Sequence, residues 1–281
     1  YGKLILVRHG QSVYNEENRF TGWKDVDLTQ KGVDEAISSA SLLKNLKIDT
    51  AFTSNLMRAQ KTLNLILSEL NLIIPITKNE ALNERDYGSL VSQNKFEAAE
   101  KYGKDQVQIW RRSYDIPPPD GESLKMTLER TVPYFTDNIF PLLSENKNII
   151  ISAHGNSIRS IVMNLLSISE QDILKTEIGW CEPWGFEFEL FDNNVISIWC
   201  VSIGKEHKSG YLVDNCSTSL HMHTYKTAKV IVLDGAVQLF KNNESIILKK
   251  SMINVLPPRT PHKLNPYHGN AILLEVESPS N

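Results

Sequence analysis

Two stretches decide the fold: KLILVRHG at residues 3–10 and NIIISAHG at residues 148–155. Each is a short apolar run, rich in Ile, Leu or Val, that ends in His-Gly. The runs are long enough for a buried strand and too short for a helix of ordinary length. Between and after them the texture alternates. Residues 31–46 place Val33, Ile37, Ala40 and Leu43 at helical spacing, with Thr29 positioned as a cap. Residues 50–53 and 72–77 read as strands, and residues 56–70, 122–143 and 155–166 as helices, with Pro133 and Pro141 expected to kink the second of these. Strands alternating with helices predict an α/β sheet flanked by helices. His9 and His154 then fall at equivalent places, just past the carboxyl ends of strands, where open α/β sheets form their ligand crevice. The glycine after each histidine lets a ligand approach the backbone.

From about residue 177 the pattern changes. Strand-like runs at 186–191, 195–201, 228–233, 237–240, 245–248, 253–256 and 271–275 are separated by turn residues such as Asp234-Gly235, Asn242-Asn243 and Pro257-Pro258. Many short strands at close spacing predict an all-β sandwich or barrel. The expected division is a first domain over 1–178 and a second over 179–281.

The 281 residues include 30 basic and 33 acidic side chains, for a net charge of −3, so nothing draws the chain to nucleic acid or an anionic membrane. The apolar fraction of 41% excludes disorder, and no apolar run approaches the length of a membrane span. Cys181, Cys200 and Cys216 form no CxxC pair, as expected for reduced thiols in a cytoplasmic protein with no signal segment.

Arg8 precedes His9, Arg58 opens a helix after a strand, and Arg111 and Arg112 are adjacent. Guanidinium groups offer planar forks of donors that match phosphate oxygens, so histidines at strand ends among arginines form an inventory for phosphate. In the second part, His221 and His223 sit two apart on a strand and share a face, and His262 arrives about forty residues later. Three imidazoles from two strands could hold one transition metal.

Several blocks carry a family resemblance. RHGQS (8–12), NEENRFTGWKDVD (15–27), LNERDYGSLVSQNK (82–95), WRRSYDIPPP (110–119), DGESL (120–124) and HGNSIR (154–159) resemble the cofactor-dependent phosphoglycerate mutases of the histidine phosphatase superfamily. The resemblance spans about residues 2–175. It implies interconversion of 3- and 2-phosphoglycerate, primed by 2,3-bisphosphoglycerate, with no metal at this site. It implies His9 as nucleophile, Arg8, Arg58 and His154 as holders of the transferring group, and Glu84 as proton donor and acceptor. Ser12, Asn15, Gly155 and Asn156 are implied at the phosphoryl oxygens. Thr21, Gly22, Tyr87, Lys95, Arg111 and Arg112 are implied at the substrate's carboxylate and second phosphate. A phosphatase on another small phosphorylated metabolite would use the same His9.

The chain departs from the family at two places. Ser92 stands where the family usually has Gly, and after Leu174 the family's Ile-Pro-Thr-Gly-like tail is replaced by Ile178-Gly179-Trp180-Cys181-Glu182-Pro183. That tail helps close the family's site, so its replacement bears on the balance between mutase and phosphatase activity.

The second part resembles a cupin. TSLHMHTYKTAKVIVLDG (218–235) and VLPPRTPH (255–262) follow the order of the two cupin motifs, with Ala228 where an acidic metal ligand is usual. The resemblance implies a small barrel that binds a sugar-like molecule and holds at most one weakly bound transition metal at His221, His223 and His262, or a metabolite-sensing fusion. A homo-oligomer is compatible with the sequence.

Overall fold

The computed structural model describes residues 1–166, 168–191, 195–202, 226–242, 244–267 and 272–279. The chain divides into two compact units, Gly2–Pro183 and Trp184–Asn281, the second also including Tyr1.

In the first unit the elements run β1 (Leu4–Arg8), α1 (Val13–Glu16), α2 (Gln30–Ala40), β2 (Thr50–Thr53), α3 (Met57–Glu69), β3 (Ile76–Lys78), α4 (Lys95–Tyr102), α5 (Lys104–Arg112), α6 (Leu124–Tyr134), α7 (Phe140–Ser144), β4 (Ile149–Ala153), α8 (Gly155–Leu166) and α9 (Glu170–Ile173). The strands lie in the order β3-β2-β4-β1, and every pairing among them is parallel. Central parallel strands are covered on both faces, which is why β1 and β4 read as unbroken apolar runs. Thr29 caps α2 by accepting from the Gly32 N–H at 3.2 Å.

Two elements differ from the sequence expectation. The strand expected over 72–77 is confined to Ile76–Lys78, because Ile73 stands wholly exposed and Pro75 brings no N–H to a ladder. The helix expected over 122–143 begins at Leu124, capped by Ser123, and runs through Pro133. It then widens into a π-helical turn at Phe135–Ile139 before α7. Pro133 lacks the N–H an α-helix needs, and the neighbouring turn absorbs the irregularity. Pro141 sits in the first turn of α7, where its missing N–H costs nothing.

The register of β1 against β4 positions the chemistry. Leu4 pairs with Ile149 and so on to Arg8 with Ala153. The next residue on each strand is His9 and His154, and the His9 N–H donates to the Ala153 carbonyl at 3.0 Å. Parallel strands in this register bring the two imidazoles together, with ring centroids 5.1 Å apart.

Among the described residues the second unit is all-β. An antiparallel hairpin joins β5 (Trp184–Phe191) to β6 (Val195–Ser202). Two three-stranded sheets follow, built from β7 (Lys226–Asp234), β8 (Ala236–Lys241), β9 (Glu244–Lys249), β10 (Ile253–Leu256), β11 (His262–Pro266) and β12 (Ile272–Pro279), in the orders β10-β7-β12 and β11-β8-β9. β11 is a strand the sequence pattern does not show, since Asn265 and Pro266 break its apolar run. Ala228, Val230 and Val232 alternate along β7 and meet Val237, Leu239, Leu248, Leu256 and Leu264 in one aliphatic core. Gly235, at φ +72°, makes the tight turn from β7 to β8.

Candidate active site

His9 is 2% exposed, and its Nδ1 lies 2.6 Å from the Gly10 carbonyl oxygen. A carbonyl only accepts, so Nδ1 carries the proton and Nε2 keeps its lone pair. Arg58 Nε, 3.4 Å from Nε2, donates towards that lone pair. Burial first, then the Arg58 and Arg8 charges, hold the His9 pKa well below the usual histidine value. The ring is therefore neutral at pH 7, with Nε2 aimed at the arginine.

Arg58 is buried on α3, and its position is fixed by donation from Nη2 to the Gly22 carbonyl at 2.8 Å and from Nη1 to the Lys24 carbonyl at 3.0 Å. Burial pushes its pKa down to about 10, with Glu84 and Asp25 opposing. Arg8 Nη1 donates to the Ile178 carbonyl at 2.8 Å. Burial lowers its pKa too, against the pull of Glu84. His154 lies fully buried, with Nε2 2.7 Å from the Ser54 hydroxyl, a partner that sequence reasoning missed. Ser54 follows the last paired residue of β2, but no motif in the sequence singles out a serine there. Burial, then Arg58, His9 and Arg8, keep His154 neutral as well.

Arg8 Nε and His154 Nδ1 are buried without a partner. An unmet buried polar group costs about 1–3 kcal/mol, and unmet groups among buried guanidinium and imidazole rings fit a site for an anion.

Glu84 sits in the loop after β3. Its Oε1 accepts from the backbone N–H groups of Arg85 at 2.8 Å and Asn156 at 3.2 Å. Its carbonyl accepts from Trp23 Nε1 at 2.6 Å and Arg130 Nη2 at 2.8 Å. Arg130 in turn grips Glu122 with Nε at 2.8 Å and Nη2 at 2.9 Å. Trp23 and Arg130 thus clamp the loop that carries Glu84. Arg130 lies outside the motif blocks and carries no local signal. Arg85, also buried, donates to the carbonyls of Glu122 and Trp110.

Ser12 and Asn15 form a reciprocal capping box at α1, with Asn15 N–H on the Ser12 hydroxyl at 3.2 Å and Ser12 N–H on Asn15 Oδ1 at 3.0 Å. Thr21 is buried, and Gly22 at φ +52° turns the chain so that its carbonyl meets Arg58. Tyr87 packs on Phe20 at 5.2 Å and meets Asn156 Nδ2 through its hydroxyl at 3.5 Å. Lys95 opens α4; burial, then Arg111, Arg8 and Arg112, lower its pKa to about 8. Arg111 and Arg112 end α5.

The two glycines after the histidines differ. A Cβ on Gly155 would meet only Arg159 Nη1 at 3.5 Å and Arg8 Nε at 3.7 Å, so this position does face the arginines with ordinary room. A Cβ on Gly10 would lie 2.3 Å from the Gly32 carbonyl. Gly10 is needed for the close approach of α2, a reason for glycine that the sequence pattern does not show.

The departures also have structural accounts. Ser92 adopts φ +71°, the left-handed backbone that favours glycine, and its side chain pairs with the Tyr14 hydroxyl at 3.1 Å. The replaced tail docks on Arg8. Cys181 N–H donates to the Arg8 carbonyl at 2.9 Å, and the Trp180 ring lies 5.6 Å from the guanidinium carbon. Burial, then Glu35, push the Cys181 thiol up to about 12, so it stays protonated.

His221 and His223 lie outside the described residues. His262 is buried at the start of β11, with Nδ1 3.0 Å from the Thr260 carbonyl. Among the described residues no group of three or more His, Cys, Asp or Glu is arranged to hold a metal, and no helix is long and apolar enough to cross a membrane.

The histidine phosphatase superfamily (branch 1) profile matches residues 4–191. The chain belongs to this superfamily. The match runs past Pro183 and takes in β5. A 2,3-bisphosphoglycerate-dependent phosphoglycerate mutase of Xanthobacter autotrophicus is 53% identical over 183 residues, which are 64% of this chain and 88% of the relative. The protein of that name from Chlamydia felis is 47% identical over 206 residues, covering 64% and 91%. At these levels the chain is a member of the mutase family as well. Among solved structures, a mycobacterial glucosyl-3-phosphoglycerate phosphatase superposes with a TM-score of 0.62 at 20% identity, over 71% of this chain and 97% of that one. The alpha-ribazole phosphatase of Shigella flexneri gives 0.59 at 20% identity, over 66% and 91%. These two show the fold alone.

Proposed function

We propose that the protein interconverts 3- and 2-phosphoglycerate by way of a phosphohistidine at His9. The observation that carries this is the His9 ring itself: Nδ1 is committed to the Gly10 carbonyl, and the Nε2 lone pair is neutral at pH 7 beneath buried guanidinium groups. A neutral imidazole is a competent nucleophile for phosphorus, and a phosphohistidine passes the group on readily. Arg8, Arg58 and His154 hold the transferring group and balance charge on its oxygens, which is most of what phosphoryl transfer asks of a protein. The orphaned Arg8 Nε and His154 Nδ1 fit that role. Glu84 takes the proton of the accepting hydroxyl and returns it on the reverse step. Ser12, Asn15, Gly155 and Asn156 line the phosphoryl position. Thr21, Gly22, Tyr87, Lys95, Arg111 and Arg112 bind the carboxylate and second phosphate. When bound, 2,3-bisphosphoglycerate supplies the phosphoryl group that primes His9. The guanidinium groups provide the positive charge that a metal would otherwise bring.

For the second unit, we propose a cupin-like barrel that takes a small sugar-like molecule, in keeping with its antiparallel strands and aliphatic core. In this reading His221, His223 and His262 hold at most one weakly bound transition metal, a choice that imidazole ligation suits. The domain division of the proposal remains 1–178 and 179–281.

The test is direct. Full-length protein treated with 2,3-bisphosphoglycerate should acquire one acid-labile, base-stable phosphoryl group, lost in His9→Ala, and should then convert 3- to 2-phosphoglycerate. Hydrolysis without interconversion would favour the phosphatase reading.

A further inference from the structure

Residues 177–181 follow α9 and return to the active site, and their first side chain has no part in the mechanism above. Glu177 Oε1 lies 3.6 Å from Arg112 Nη1, and Oε2 lies 3.6 Å from Arg159 Nη2. The two arginines come from different elements, the end of α5 and the first turns of α8. Arg159 is held independently, with Nε on the Thr176 carbonyl at 2.8 Å and Nη1 on Asn156 Oδ1 at 3.3 Å. The Glu177 charge is also felt at Arg8. This carboxylate therefore bridges two arginines, one of which is bonded to the Asn156 whose N–H meets Glu84.

Its side chain is 72% exposed, and both contacts are longer than a good charge-assisted hydrogen bond. Such pairs hold little structure together and are readily displaced. What persists is a negative charge beside Arg112, where the mutase reading puts the far anionic group of the substrate. We propose that Glu177 is a specificity-determining residue that opposes the anionic group placed beside Arg112, so that it weakens the hold on phosphoglycerates and leaves inorganic phosphate in the His9 pocket unaffected. The inference rests on the mutase reading. Its physical basis is that Coulomb repulsion grows with the charge placed opposite the carboxylate and falls with distance, and inorganic phosphate held at His9 carries no group to that position. The consequence is functional. Bisphosphate formed when His9 gives up its phosphoryl group leaves more easily, and each escape leaves His9 unphosphorylated and in need of priming.

Calorimetric titration of the full chain tests this, in a His9→Ala background that blocks transfer. The ligands are 2,3-bisphosphoglycerate, 3-phosphoglycerate and inorganic phosphate. Glu177→Gln should tighten 2,3-bisphosphoglycerate and 3-phosphoglycerate roughly three- to tenfold and leave inorganic phosphate unchanged. Glu177→Asp, which keeps the charge, should stay close to the parent, as should Glu182→Gln, which removes a neighbouring charge. An equal change for all three ligands marks a structural role and overturns the proposal, as does no change for any. A parent protein that binds phosphate but neither phosphoglycerate overturns the mutase reading, and this inference with it.

Discussion

The two units spend their buried volume differently. Gly2–Pro183 buries His9, Arg58 and His154 near the ends of parallel strands, and leaves Arg8 Nε, His154 Nδ1 and Trp180 Nε1 without partners, against Asn265 Oδ1 alone among the described residues of the second unit. Trp184–Asn281 buries a run of Ala, Val and Leu from alternating positions on antiparallel strands. The first arrangement works against stability, because burying charge and leaving donors unmet both cost free energy. The second favours it. The contrast shows where function lies in this chain: the region that departs from good packing is the one with chemistry to perform.

Removing the carboxylate proposed to handle the proton should separate the units most sharply. Glu84→Gln keeps the shape and cannot exchange a proton, so mutase turnover should fall by roughly 10²–10⁴ while ligand affinity changes little. Steady-state assays with calorimetry check both, and a collapse of affinity at preserved saturated turnover would make Glu84 a ligand contact instead.

The converse substitution lies in the other core. Leu239 is fully buried among aliphatic neighbours on β8. Leu239→Ala should cost about 2–5 kcal/mol of the second unit's stability and leave turnover at His9 unchanged. Denaturation followed alongside activity reads this, and a parallel fall in turnover at 25 °C would break the comparison by showing the two units to be coupled.

A smaller effect concerns pH. Lys95, lowered to about 8 by burial and then by Arg111, Arg8 and Arg112, loses its proton as pH rises through that value. Its attraction for a substrate anion is present below pH 8 and lost above it. KM for phosphoglycerate should therefore rise several-fold between roughly pH 7 and pH 9, in a way that Lys95→Met removes. A KM profile identical in the variant would take Lys95 out of the anion site.

Much of the site is legible in the residues. RHG and AHG sit at the ends of apolar runs, and strand ends are where α/β sheets expose their ligand groups. Ser54, Arg130 and Glu177 are not legible in that way. Each acts through a partner at least 46 residues away in sequence or on a separate helix: Ser54 on His154, Arg130 on the Glu84 carbonyl, Glu177 on Arg112 and Arg159. A serine, an arginine or a glutamate in such places is an ordinary surface residue until the chain brings its partner near.

The sequence by itself determined the alternation of strands and helices in the first unit, the period-two strands of the second, and the histidine, arginine and glutamate of the site. It could do so because apolar periodicity and local motifs act over a few residues. Only the tertiary structure decided how these groups meet. The parallel register of β1 on β4 sets His9 beside His154, and the Gly10 carbonyl selects which ring nitrogen keeps its lone pair. The packing of α2 explains why Gly10 is glycine, and the return of residues 177–181 brings Ile178 and Trp180 onto Arg8. Hydrogen bonds and charge depend on distance in space, and distance in space is what a linear pattern leaves open.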